Sequence, residues 1–97
     1  MKINYRESYR KKIEAQLEYI SGDKPKAAKK FNREVKSRIN KLPKNPYMCR
    51  KSIYFDDENI RDLIIDGYTI VYKILKDEID VFGFIKYEET LKIDPNN

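Results

Sequence analysis

Histidine is absent from this chain of 97 residues, and cysteine occurs once, at Cys49. Without an imidazole there is no histidine general base and no histidine-ligated zinc or haem. One thiol excludes an internal disulfide and a multi-cysteine metal cage, and with no histidine to activate it Cys49 reads as a passive side chain. Only three glycines are present, none in a cluster, so a phosphate-cradling loop or dinucleotide fingerprint is excluded. The acidic run Asp56-Asp57-Glu58 lacks the spacing of a calcium loop and reads as a turn. No metal and no other cofactor is therefore expected. Long hydrophobic runs are missing as well, since nothing approaches the roughly 20 apolar residues of a membrane-spanning helix. Residues 1–12, MKINYRESYRKK, lack the apolar stretch of a secretory signal. The expectation is a cytoplasmic protein that spans no membrane.

What the chain does have is charge and aromatic rings. Charged residues make up 38% of it and hydrophobic ones 40%, with eight Tyr and four Phe. That supply of Tyr, Phe and Ile builds one core, and the length suits a single domain over residues 1–97. Its core is expected across about residues 2–87, with a loose tail at 90–97. The net charge of +5 is unevenly spread: residues 1–50 carry 15 Lys/Arg against 5 Asp/Glu, and residues 51–97 carry 6 against 11. A balance of +10 in the first half suits an acidic partner, either nucleic acid or an acidic protein segment, or else a solvated helical face.

Periodicity divides the chain into elements. Lys2–Tyr5 reads as a short strand. Tyr9, Ile13, Leu17 and Ile20 recur at helical spacing, with Ser8 placed to cap the N-terminus and Gly22 the C-terminus. Asp23-Lys24-Pro25 restarts a helix with Asp as cap, and Ala28, Phe31, Val35, Ile39 and Leu42 continue it until Leu42-Pro43-Lys44-Asn45-Pro46. So short a connection makes the two helices an antiparallel hairpin. Beyond Pro46 the period changes to two. Ile53-Tyr54-Phe55 reads as a strand start broken by the acidic turn, and Ile60–Ile65 as a strand ending in the Asp66-Gly67 hairpin. Residues 68–75 then place Tyr68, Ile70, Tyr72 and Ile74 on one face. Lys76-Asp77-Glu78 turns the chain into a last strand, residues 79–85, with Ile79, Val81, Gly83 and Ile85 opposite Asp80, Phe82 and Phe84. The fold class is α+β: an N-terminal strand, a helical hairpin and a three-stranded antiparallel meander, with the helices on one face of the sheet.

The stretch IRDLIIDGYTIVYKI, residues 60–74, resembles the central hairpin of the RelE/ParE toxins of type II toxin–antitoxin modules. Leu42 and Pro46 match the L-x-x-x-P segment that closes the family's helical hairpin. Glu18-Tyr19-Ile20 followed by Pro25 and Ala28 is similar to the ParE pattern. The resemblance covers about residues 2–87 and implies a small sheet with two helices packed on it. It also implies a cognate antitoxin as partner in a hetero-oligomer. The target it implies is either DNA gyrase, for the ParE branch, or mRNA on the ribosome, for the RelE branch.

Two departures favour the ParE branch. RelE-type toxins carry an Arg after the turn Tyr, where this chain has Thr69, and another past the last strand, where it has Glu88 and Glu89. Acidic groups there would repel an RNA phosphate. The expectation is a growth inhibitor acting through gyrase; an mRNA endonuclease and a non-toxic, antitoxin-binding relative are the alternatives. No catalytic residue is assigned. Candidates for contact with target or antitoxin are Arg50 and Lys51, entering the sheet, and Arg61, which matches the family's "IR" dipeptide. Phe82 and Phe84 are a possible apolar groove, and Lys86 and Tyr87 end the last strand. Each has a plainer reading: solvated loop for the first two, pairing with Asp62 or Asp80 for Arg61, core packing for the phenylalanines, strand terminus for the last pair.

Overall fold

The computed structural model describes residues 1–86. In chain order the elements are β1 (Lys2–Tyr5), α1 (Glu7–Asp23), α2 (Pro25–Asn40), a single turn of 3₁₀ helix (Leu42–Lys44), β2 (Arg50–Lys51), β3 (Ile60–Ile65), β4 (Tyr68–Ile74) and β5 (Glu78–Lys86). All five strands form one sheet in the order β1-β5-β4-β3-β2. The expected α+β architecture is found, with the meander β3-β4-β5 at its centre. β1 pairs with β5 in parallel, Lys2 beside Glu78 through Tyr5 beside Val81. Both helices lie on the face that buries Leu63, Ile70, Tyr72, Ile79 and Val81.

Helix ends differ from the sequence expectation, and the backbone explains why. The parallel ladder continues past β1, with the Arg6 N–H donating to the Val81 carbonyl at 2.9 Å, so Arg6 rather than Ser8 caps α1. The Ser8 hydroxyl donates instead to the Phe82 carbonyl at 2.8 Å. Gly22 does not end α1, and Asp23 does not cap α2: the first helix runs through both to Asp23. Lys24 alone breaks the rod, at φ −137° and ψ 78°, because the ring of Pro25 drives the residue before it out of the helical region. Along α2 the expected Ala28, Phe31, Val35 and Ile39 are the buried face.

The expected strand at Ile53-Tyr54-Phe55 is also displaced. Pairing occurs earlier, Arg50 with Asp62 and Lys51 with Arg61. After the Ser52 N–H bonds the Ile60 carbonyl at 2.8 Å, the next two donors turn to side chains. The Ile53 N–H meets Asp62 Oδ2 and the Tyr54 N–H meets Ser52 Oγ, both at 3.1 Å, which takes the chain out of the ladder. The Asp66-Gly67 hairpin is present as read, with φ of 49° and 82°, two positive values in succession as a type I′ turn requires.

One bulge reassigns the last strand. Val71 faces Gly83 but its neighbour Tyr72 faces Val81, leaving Phe82 as an extra residue in β5. Alternation therefore slips by one. Ile79 and Val81 enter the core, and so does Phe84, whose ring stacks on Tyr68 at 5.2 Å and meets Tyr9 edge-on at 6.3 Å. The expected grouping of Phe84 with Phe82 and Asp80, opposite Gly83 and Ile85, does not survive this slip. Burial raises the Tyr9 and Tyr72 hydroxyls far above their ordinary value, and Tyr72 uses its retained proton to bond the Pro46 carbonyl at 2.7 Å.

Close approach at the bulge makes Gly83 sensitive. A Cβ there would stand 3.0 Å from the Val71 Cβ. Gly83→Ala should cost about 1–3 kcal/mol of stability by overpacking, read from urea denaturation.

At the edge, the Arg6 guanidinium 2.7 Å from Asp80, with the Asn4 amide at 3.1 Å, holds the Asp80 carboxyl below the usual carboxylate range. The ionised form is thus favoured by folding. The stabilisation is complete above about pH 4, the ordinary Asp value, and is lost as the pH falls through the lower folded-state value. Asp80→Asn should lower the urea midpoint at pH 7 and lower it less at pH 3.

Candidate functional site

The face of the sheet turned away from the helices carries the candidate surface. Register places Asp62, Val71 and Gly83 side by side across β3, β4 and β5, and Ile64, Thr69 and Ile85 in the next row. The loop after β2 crosses the first of these rows. It is held to β3 by the Ile53 N–H on Asp62, and it reaches β5 where the Phe55 ring meets Phe82 at 5.5 Å. Val71, between those two anchors, is buried under it.

Asp62 makes that crossing possible. Its side chain is 0% exposed, and its Oδ2 accepts from Arg50 Nε at 3.2 Å, Arg50 Nη2 at 3.1 Å and the Ile53 N–H at 3.1 Å. A buried carboxylate survives only with such partners. Arg61 does related work from the core-facing side of β3. Its guanidinium donates to the carbonyls of Glu58 at 2.9 Å and Cys49 at 3.1 Å, pairs with the Glu58 carboxylate at 3.3 Å, and lies 4.8 Å over the Tyr47 ring. The partners the sequence suggested for Arg61, Asp62 and Asp80, are taken by Arg50 and Arg6.

With the loop so placed, its apolar side chains face outward. Ile53 is 62% exposed, Phe55 43% and the neighbouring Ile64 48%, with Tyr54 beside them. Ile64 lies two residues along β3 from Asp62, about 7 Å by strand geometry. Four large apolar side chains are thus shown to solvent on one face of a small chain, as at interaction surfaces. Its rim is electrically quiet. Arg6, Arg50, Lys51, Arg61 and Lys73 each hold a carboxylate, those of Asp80, Asp62, Asp56, Glu58 and Asp57, at 2.7–3.7 Å.

Of the sequence candidates, then, Arg50, Lys51 and Arg61 gather around one loop and hold it. Phe82 joins the outer face and Phe84 the core. Lys86 ends β5 with its ammonium 5.6 Å from the Tyr19 ring. Tyr87, Glu88, Glu89 and the tail at 90–97 lie outside the described residues. Sequence reasoning named Asp62 as a partner for Arg61 alone and passed over Ile64. The signal was present in Ile60–Ile65: a carboxylate inside an apolar strand needs a partner, and of the adjacent Ile64 and Ile65 one must face away from the core. A second concavity, about 500 Å³, opens between α1 and α2 at the end of β1, with Tyr9, Ile13 and Val35 at its floor and Arg10, Glu14 and Lys36 on its rim. Among the described residues no group of three or more His, Cys, Asp or Glu is placed to hold a metal ion.

These elements in this order define a small two-layer α+β fold, and comparison with known proteins names its class. Residues 3–89 match the family described as the ParE toxin of type II toxin-antitoxin system, parDE. The chain belongs to that family. Among solved structures it is similar to a chain from the chromosomal ParDE toxin–antitoxin system of P. aeruginosa, with a TM-score of 0.72 at 11% identity over 89% of this chain and 95% of that one. At that identity the likeness is one of fold. No curated protein matches in sequence.

Removing the Asp62 carboxylate frees both Arg50 and the loop. Asp62→Ala should cost about 2 kcal/mol. Arg50→Ala should cost at least as much, because it leaves the fully buried Asp62 carboxylate with the Ile53 N–H as its one remaining donor. Urea denaturation gives both values, and faster proteolysis within residues 52–59 should accompany the first.

Proposed function

We propose that this ParE-family toxin arrests growth by binding DNA gyrase in the cytoplasm, and that a cognate antitoxin silences it by covering the outer face of the sheet in a hetero-oligomer. The observation that carries this reading is the family match over residues 3–89. Two features of the molecule support action by binding rather than by cleavage. The apolar patch of Ile53, Tyr54, Phe55 and Ile64 offers anchors of the kind protein interfaces use. The sheet-side cations Arg6, Arg50, Lys51, Arg61 and Lys73 are each engaged by a carboxylate, whereas an mRNA endonuclease without histidine needs cations free to meet a phosphate. Thr69, at the position where the RelE branch has an Arg, is buried. Among the described residues no helix is long and apolar enough to cross a membrane.

Induced alone in bacteria carrying an SOS-response reporter, the chain should stop growth and switch the reporter on, since a poisoned gyrase leaves broken DNA. Arrest with a silent reporter and cleaved message would instead identify an mRNA endonuclease. Normal growth, with the protein present, would identify a non-toxic family member.

The outer face has its own test. Phe55→Asp together with Ile64→Asp should weaken capture by the antitoxin encoded beside the chain at least about tenfold, measured by isothermal calorimetry, while circular dichroism stays unchanged.

A further inference from the structure

Among the described residues the densest run of free positive charge is on α2. α2 carries Lys26, Lys29, Lys30, Arg33, Lys36 and Arg38 against the single acid Glu34, a balance of +5 that equals the net charge of the whole chain. The sheet-side cations hold carboxylates, but among the described residues Lys26, Lys29, Lys30, Arg33 and Lys36 make no ion pair. All five are exposed. At 3.6 residues per turn they fall within an arc of about 120°, opposite the buried Ala28, Phe31, Val35 and Ile39, and they extend along about 15 Å of the helix.

We infer that the solvent face of α2 is a docking surface for the phosphate backbone of duplex DNA, independent of which enzyme the toxin inhibits. Charge complementarity is the first argument. Five unpaired cations on a rigid rod meet phosphates at no cost in broken protein ion pairs, and each neutralised phosphate releases counterions. The composition of the face is the second. None of the exposed large hydrophobic residues lies on α2, so the face lacks the aromatic or aliphatic anchors on which a peptide partner would depend. For the same reason it has no ring on which an unpaired base could stack, which argues against single strands. The major groove of B-form DNA is wide enough to admit a helix, whereas that of an RNA duplex is deep and narrow. The contacts inferred are with phosphates, which carry no sequence information.

The test is fluorescence anisotropy of the full chain with a labelled 20-base-pair DNA duplex across a range of salt. Micromolar binding is expected at 50 mM salt, with log Kd rising with log salt at a slope of about 4.5, as five phosphate contacts require. Replacing Lys29, Arg33 and Lys36 by Gln should weaken binding at least about 30-fold and lower the slope to about 2. A control with Lys11, Lys12 and Lys76 changed to Gln removes the same charge from exposed positions elsewhere and should change affinity less than about threefold. Circular dichroism confirms that each variant keeps its helices. Absence of duplex binding at 50 mM salt would overturn the inference, and so would equal losses in the two triple variants. Tighter binding of an RNA duplex of the same sequence, or equal binding of poly-glutamate, would overturn the assignment to DNA.

Discussion

A carboxylate sealed inside the protein organises the outer face of the sheet. Asp62 sits mid-strand in β3 with no exposed side-chain area, and the guanidinium of Arg50 and one backbone N–H converge on a single one of its oxygens. Such a group is tolerable only while those donors stay in place. They stay because β2 is two residues long and delivers Arg50 directly opposite Asp62. The loop that follows is therefore not free to wander. It is drawn over β4 to the bulge at Phe82, and the apolar side chains of Ile53, Tyr54 and Phe55 are shown to solvent as a consequence.

Charge is partitioned in the same spirit. On the sheet side, each cation named in the ion pairs has an acid within reach, so attraction between the two halves of the sequence is used up internally. The largest excess left over lies on α2. Half of the +10 balance in the first half lies on α2, on the layer opposite the ion-paired sheet. Surface ion pairs of this kind contribute little to stability individually. Their effect here is on where the electrostatic field of the molecule remains uncompensated.

Most of the fold was legible in the sequence because its signals are local. β1, β3 and the hairpin turn were readable to the residue: Ile60–Ile65 ends in Asp-Gly, and the positive φ values at both positions leave little choice. The apolar spacing of α2 likewise named its buried face. What failed was everything decided by a second element. Ser8 is a good cap by type, but a strand pairing 74 residues away claims its hydroxyl. Gly22 is a good helix terminator, but Pro25 sets the break one residue before itself. The bulge at Phe82 depends on how β5 meets β4, and nothing in the alternation of residues 79–85 announces it. For the site the lesson is sharper. The candidates were chosen as chemistry-bearing types, and three of them, Arg50, Lys51 and Arg61, turned out to be gathered at one loop as its fasteners. The exposed Ile64 beside the buried Ile65 was a quieter clue of a different kind.

The parallel pairing of β1 with β5 has a consequence for synthesis. The strand made first finds its only sheet neighbour in the strand made last among the described elements, so the sheet cannot close until nearly the whole of that segment is available. The cap of α1 depends on the same meeting, through Arg6 on Val81. Loop closure across this separation must precede any reward from the contacts it creates. The sheet is therefore completed late, once β5 is available to receive β1.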